Sequence, residues 1–93
     1  MKPSTDWDKP TAALDLKTKE LIFVAPCALA GDKGGALNHA LTAMKIGAAV
    51  AEIAEALVQA IMVGGITTWN LVGYDVLKTC ADQANGAPPL SPV

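Results

Sequence analysis

The sequence contains no arginine and only one histidine, His39, among its 93 residues. Without arginine, no site can hold a carboxylate or phosphate through a bidentate guanidinium group. One histidine and two cysteines, with no C-x-x-C pair, match no spacing of zinc ligands, so we predict neither a metal nor a cofactor. The net charge of −2 also argues against nucleic-acid binding, because that function usually requires a basic patch.

Long apolar runs and a cysteine framework are missing as well. Glu52 and Glu55 interrupt the longest apolar stretch before it reaches the ~18 residues that a membrane span requires. The first residues are polar, so we expect no signal peptide. Cys27 and Cys80 are too few for a disulfide framework and are typical of a reducing compartment. We therefore expect a cytoplasmic protein that does not contact membranes.

What the chain has in abundance is apolar side chains. Hydrophobic residues make up 52% of the sequence, and the mean hydropathy is +0.35. A domain of this size has a large surface to cover, so the simplest explanation is a homo-oligomer whose subunits cover part of that surface. The alternative is that the many alanines raise the hydropathy without requiring burial.

The length allows one domain, which divides into three segments. Residues 1–13 contain two prolines and predict an N-terminal arm that Trp7 could dock. Residues 84–93 are rich in proline and predict a flexible tail. Residues 14–83 show helical periodicity and only weak strand signals, so the predicted fold class is all-α with about four helices.

The predicted helices run from about Asp15 to Leu29, Gly34 to Ile46, Val50 to Val63 and Ile66 to Gln83. Apolar residues surround the first helix, which predicts that it is buried, and Pro26 should kink it or end it early. In the third helix, Met62 and Val63 fall toward the polar side and predict a subunit contact. In the fourth, Ile66 belongs to the apolar face and Thr79 to the opposite face.

Two polar residues occupy helix faces where a partner is needed. Glu20 lies on the apolar face of the first helix with Phe23 and Val24, so its carboxylate must be paired, protonated or in a wet pocket. His39 lies on a face of small residues in the second helix, where a neighbouring helix can approach closely. The two could meet as a proton-transfer pair, or they could form a purely structural hydrogen bond.

Four other residues could line the same site. Cys27 follows Glu20 by seven residues, on the same face and ~10 Å further along the axis; the alternative is a small hydrophobic core residue. Asp32, Lys33 and Gly35 belong to a short segment before the second helix. That segment could hold an anion at the helix N-terminus, although a plain turn and helix start is the favoured interpretation.

Three blocks of sequence, in this order and spacing, form a specific pattern: residues 16–22 (LKTKELI), 38–48 (NHALTAMKIGA) and 52–57 (EIAEAL). The pattern resembles the carboxymuconolactone decarboxylase family, which includes the alkyl hydroperoxidase D proteins, and it covers roughly residues 14–80. The resemblance implies an alkyl hydroperoxidase D-like helical domain that assembles as a trimer or a hexamer.

The two branches of that family imply different chemistry. The peroxidase motif is Glu, eleven residues, Cys, two residues, Cys, three residues, His; placed on Glu20, it puts its cysteines at Asp32 and Gly35 and its histidine at His39. Asp and Gly can neither attack a peroxide nor resolve a disulfide, so disulfide-cycling peroxidase activity is not expected. The decarboxylase branch keeps the Glu and the His, which implies His39 as general acid and Glu20 as the group that orients it.

Three functions remain open. The favoured one is an acid–base enzyme acting on a small-molecule substrate, such as a decarboxylase or a lactone-acid enzyme, with His39 and Glu20 as catalytic residues. Without arginine, only lysines such as Lys33 are left to hold substrate carboxylates. The second is a non-catalytic oligomeric binding module that kept the fold. The third is an atypical alkylhydroperoxidase-like redox protein that uses the single thiol of Cys27.

Overall fold

The computed structural model describes residue 9 and residues 12–86. These residues form α1 (Leu16–Leu29), α2 (Lys33–Lys45), α3 (Val50–Gly64), α4 (Ile66–Thr68) and α5 (Tyr74–Ala84), with a π-helical turn at Trp69–Gly73 between the last two. No strand occurs in this part of the chain, so the all-α prediction is confirmed. Most of the predicted arm at 1–13 and of the predicted tail at 84–93 lies outside the described residues.

Local hydrogen bonds define where the first three helices begin. Asp15 is the N-cap of α1, as predicted, and its carboxylate accepts from the Thr18 N–H at 2.7 Å. Asp32 caps α2 in the same way. Ala49 has no side chain that can cap α3, but the carboxylate of Glu52 accepts from the Ala49 N–H at 2.9 Å. Helix starts are therefore encoded within three residues of each boundary.

The structure decides between the two predicted effects of Pro26 on α1 and corrects the predicted burial of this helix. It continues through Pro26, whose carbonyl accepts from the Ala30 N–H at 2.9 Å, so the proline does not end the helix early. The expectation that α1 is buried all round is wrong. Only Val24 and Ala28 are buried, whereas Phe23 remains 51% exposed. The reason is that α1 packs on α2 and α3 along one side, and no other element of the described chain covers its opposite side.

The core lies where α1, α2 and α3 meet, and α5 packs against α2 and α3 at its edge. The buried residues of α2 are all alanines, namely Ala36, Ala40 and Ala43. Larger side chains come from the other helices: Val24, Ile53, Leu57, Val76 and Cys80. Because alanine side chains are short, α1 can approach α2 closely. The interface between these two helices positions the site described below.

The last helical segment agrees with its prediction only in part. Val72, Val76 and Cys80 are buried, as predicted, although a π turn, which closes hydrogen bonds five residues apart, interrupts the segment at Trp69–Gly73. Thr79 is buried and Ile66 is 64% exposed, contrary to the faces predicted for both. At the end of the turn, a Cβ on Gly73 would lie 2.8 Å from Cε3 of the Trp69 ring. The turn therefore depends on the absence of a side chain at Gly73.

Gly73→Ala should lower the free energy of unfolding by about 1–2 kcal/mol. The new methyl group must displace the buried side of the Trp69 ring, and overpacking typically costs more than the ~1 kcal/mol that alanine gains in helix propensity. Urea unfolding of both proteins measures the difference. Gly34→Ala is the matched control, because its Cβ would meet only the Asp32 carboxylate at 3.9 Å. Equal stability of Gly73→Ala and the unsubstituted protein would contradict this explanation of the turn.

Candidate functional site

The two predicted catalytic residues are in direct contact across the α1–α2 interface. Nδ1 of His39 lies 2.5 Å from Oε2 of Glu20, although the two residues are 19 positions apart in sequence. Their side chains retain 27% and 22% of their accessible surface, respectively. The expected meeting of carboxylate and imidazole is therefore present, and both groups remain within reach of solvent or a ligand.

The contact with Glu20 also defines the chemistry of the imidazole ring of His39. An ionised carboxylate can only accept hydrogen bonds, so Nδ1 carries a proton and donates it to Glu20. In the neutral ring, Nε2 then holds the lone pair and can accept a proton; in the charged ring, Nε2–H can donate one. This is the arrangement by which a carboxylate orients a histidine for general acid–base chemistry.

Phe23 is a neighbour of the pair that the sequence did not assign to the site. Its ring stacks on the imidazole of His39, with centroids 4.5 Å apart and an angle of 20° between the planes. Phe23 follows Glu20 by three residues on α1, which places both side chains on one face of the helix. Helix α1 therefore holds His39 at Nδ1 and against one face of the ring. The i, i+3 spacing was the signal that could have identified this residue.

A groove borders the pair on the outer side of α1, with a volume of about 340 Å³. We call it the α1 groove, and its lining residues are Leu14, Leu16, Lys19, Glu20, Ile22 and Phe23. All of these residues belong to α1 or lie just before it, so the groove is an open surface along one helix. Glu20 and Phe23 line the groove and also contact His39.

Both residues of the pair lie within a part of the sequence that matches a known family. The model of the carboxymuconolactone decarboxylase family matches residues 5–78, which is most of the chain and includes Glu20 and His39. The chain belongs to this family. The resemblance described above is thereby confirmed, and the match begins within the segment predicted as an arm. Neither the curated proteins nor the solved structures include a match to this chain.

The two thiols of this carboxymuconolactone decarboxylase family member are free and poorly suited to redox chemistry. Burial, followed by the charge of Asp32, raises the pKa of the half-buried Cys27 thiol. Burial raises the pKa of Cys80 to about 11. Because the thiolate is the reactive form, both cysteines stay largely unreactive at neutral pH. The hypothesis of a single-cysteine redox protein gains no support from either residue.

The remaining predicted site residues serve the start of α2 and do not line the α1 groove. The carboxylate of Asp32 accepts from the Gly35 N–H at 2.9 Å, which is an N-cap hydrogen bond. Lys33 extends in another direction, where its Nζ lies 2.6 Å from the carboxylate of Asp75 on α5. This arrangement agrees with the favoured interpretation of the segment as a turn and helix start. The carboxylate of Asp32 occupies the position that a bound anion would need.

Two further features are absent from the part of the chain that the structure describes. No group of three or more His, Cys, Asp or Glu side chains there could hold a metal ion. None of the helices in that part has both the length and the apolar character needed to cross a membrane. The candidate site of this family member therefore consists of the Glu20–His39 pair, Phe23 and the α1 groove.

Glu20→Ala should change the tautomer of neutral His39. In the unsubstituted protein the carboxylate selects the Nδ1–H form, and its removal should allow the Nε2–H form that free imidazole side chains prefer. The ¹⁵N chemical shifts of the ring nitrogens, measured by long-range ¹H–¹⁵N correlation, distinguish the two forms. Glu55→Ala, which removes an exposed carboxylate of α3, is the control and should leave these shifts unchanged. Identical ring shifts in Glu20→Ala would contradict the proposed orienting contact.

Proposed function

We propose that this protein is an acid–base enzyme with decarboxylase or lactone-acid chemistry, in which His39 transfers a proton and Glu20 orients its ring. The observation that carries the proposal is the 2.5 Å contact between Nδ1 of His39 and Oε2 of Glu20, whose side chains both remain partly accessible. The family membership supports the same class of chemistry. The sequence has Asp32 and Gly35 in place of the two redox cysteines, which favours the decarboxylase branch over the peroxidase branch.

The geometry suits the protonation step of a decarboxylation. When the bond to the departing carboxylate breaks, CO₂ leaves and the electron pair stays on the substrate as an enolate. Protonated His39 then delivers the proton of Nε2 to the substrate carbon, while Nδ1–H stays hydrogen bonded to Glu20. The hydrogen bond to Glu20 keeps the ring in one orientation during the transfer. The ring stacking with Phe23 limits rotation of the imidazole during the step.

A non-catalytic binding module is the second candidate, and one observation favours it. The Glu20–His39 contact lies in the interface of α1 with α2. A polar pair in such a place can have a purely structural role, which is to join the two helices. A structural hydrogen bond of this kind typically contributes about 1 kcal/mol, or up to about 3 kcal/mol when one partner is charged. Under this alternative, substitutions of the pair change the melting temperature but affect no reaction.

We also propose that the protein forms a homo-oligomer, either a trimer or a hexamer. The support comes from residues 58–74, where the following apolar side chains are roughly half to four-fifths exposed: Val58, Met62, Val63, Ile66, Leu71 and Tyr74. Such a concentration of exposed apolar groups is typical of subunit contacts. A cytoplasmic location is part of the same proposal, since free thiols at Cys27 and Cys80 suit a reducing compartment.

His39→Gln should lower the turnover of a lactone-acid substrate at least about 100-fold, because the side chain loses the proton that a general acid supplies. Glu20→Gln should lower turnover less, since it removes the orienting charge but keeps the shape. Release of CO₂ from a panel of lactone acids measures both effects. Lys45→Gln, at the exposed end of α2, is the control. Unchanged turnover in His39→Gln would refute the acid–base proposal and leave the binding module as the better explanation.

Met62→Lys should dissociate the oligomer, because Met62 is 75% exposed in the isolated subunit and a charge would have to be buried at the contact. Size-exclusion chromatography with light scattering gives the mass of each species. Gln59→Lys, at an exposed polar position on the same helix, should retain the assembly. If the unsubstituted protein is already a monomer at high micromolar concentration, the oligomer proposal fails.

A further inference from the structure

We propose that Phe23 is a positioning residue of the candidate site, whose aromatic ring fixes the plane of the His39 imidazole and thereby the place of Nε2. The fixed plane follows from the contact between the two rings. Its consequence for proton transfer rests on the acid–base function proposed above. The order of the ring and the turnover of substrate are therefore measured separately.

The hydrogen bond to Glu20 leaves one motion of the imidazole unrestrained. It joins Nδ1 of His39 to Oε2 of Glu20, so it fixes the distance between two atoms and not the plane of the ring. The terminal torsions of both side chains have broad preferences, and the carboxylate can follow Nδ1 while the ring tilts. Nε2 lies on another side of the ring and changes its place in such a tilt. A second contact is needed to hold it.

Phe23 supplies this second contact. Its ring lies nearly parallel to the imidazole of His39, with 20° between the planes and 4.5 Å between the centroids. Aromatic rings attract each other in stacked arrangements of this kind. A tilt of the imidazole toward Phe23 meets the atoms of the phenyl ring, and a tilt away loses the contact between the two faces. The stack thus restrains the motion that the hydrogen bond permits.

Both contacts originate from one rigid element. Glu20 and Phe23 are three residues apart on α1 and lie on the same face of that helix. His39 belongs to α2, so its ring is held across the helix interface by two side chains whose relative places are fixed by one helical backbone. The carboxylate holds an edge of the imidazole, and the phenyl ring holds a face.

Packing in the core does not account for the aromatic ring of Phe23. The side chain is 51% exposed, and it belongs neither to the buried core nor to the partly buried residues that pack against it. The adjacent Val24 is fully buried and fills the core side of α1. Removal of the phenyl ring should therefore leave the fold intact, so substitution at this position can separate its role at the site from stability.

A fixed place for Nε2 matters because proton transfer depends on position. Donor and acceptor atoms must lie within hydrogen-bond reach, and a misplacement of about 1 Å can cost about 100-fold in rate. A residue that holds the donor in place should therefore act on kcat. Phe23 also lines the α1 groove, but a residue that only forms a wall for the substrate should act mainly on KM.

Nuclear magnetic resonance of the imidazole tests the fixed ring plane. His39 is the only histidine in the sequence, so histidine labelled with ¹³C in the ring gives one set of signals from the untagged full chain. Relaxation of the ring C–H groups should show a rigid imidazole in the unsubstituted protein. Phe23→Leu should lower their order parameter below about 0.6, a value typical of flexible groups. Phe23→Tyr keeps the aromatic ring and should keep the imidazole rigid.

Release of CO₂ from the panel of lactone acids tests the consequence for the reaction. Phe23→Leu should lower kcat about tenfold with a smaller change in KM, and Phe23→Tyr should restore most of kcat. Leu29→Ala removes another exposed apolar side chain of α1, outside the α1 groove, and is the control. It should change neither the order of the His39 ring nor kcat. Melting curves from circular dichroism establish that each variant is folded.

Different results would overturn the two statements. A rigid imidazole in Phe23→Leu would show that the hydrogen bond to Glu20 alone fixes the plane, and loss of folding in that variant would show that Phe23 serves helix packing. A mobile imidazole with unchanged kcat, or a rise in KM alone, would contradict the positioning role in the reaction. Unchanged turnover in His39→Gln would refute the acid–base function itself and leave the result on ring order intact.

Discussion

The hydrogen bond between Glu20 and His39 forms only because α1 and α2 pack closely enough for a carboxylate and an imidazole to meet across their interface. The buried face of α2 consists of alanines, and short side chains permit that approach. Partly buried polar groups are costly when they lack partners, and here each satisfies the other. The same contact determines which ring nitrogen is left for chemistry. The contact between Nδ1 of His39 and Oε2 of Glu20 thus joins the two helices, gives each polar group a partner and orients the ring for the candidate reaction.

The segment that holds the redox cysteines in the peroxidase branch has a purely structural use in this chain. Asp32 caps α2, and a Cβ at Gly35 would overlap the Asp32 carboxylate. A side chain at the second position would therefore require the Asp32 carboxylate to move from its present rotamer. An N-cap of this type contributes about 1 kcal/mol. The frame of the family motif is kept at Glu20 and His39, while the positions between them stabilise the start of the helix.

Exposed apolar surface occurs in two places, and their surroundings differ. The surface around the α1 groove lies beside Glu20 and His39, the pair to which the proposed chemistry is assigned. The surface at residues 58–74 lies on α3 and around the π-helical turn, away from the pair in sequence. We propose that the surface at residues 58–74 contacts a second subunit.

The sequence by itself determined the boundaries of the first three helices and the residues of the central pair, whereas a π-helical turn interrupts the predicted fourth helix. Caps such as Asp15, glycine stops and periodicity act within a few residues, so α1, α2 and α3 begin and end within one residue of their predicted limits. Only the tertiary structure decided which faces are covered. It left one side of α1 exposed, buried Thr79 after the π-helical turn, and paired Lys33 with Asp75, 42 residues away. The stacking of Phe23 on His39 and the α1 groove were likewise decided by the tertiary structure. A local pattern specifies the path of the backbone, but burial, ion pairs and cavities depend on elements that are distant in sequence and meet only when the helices pack.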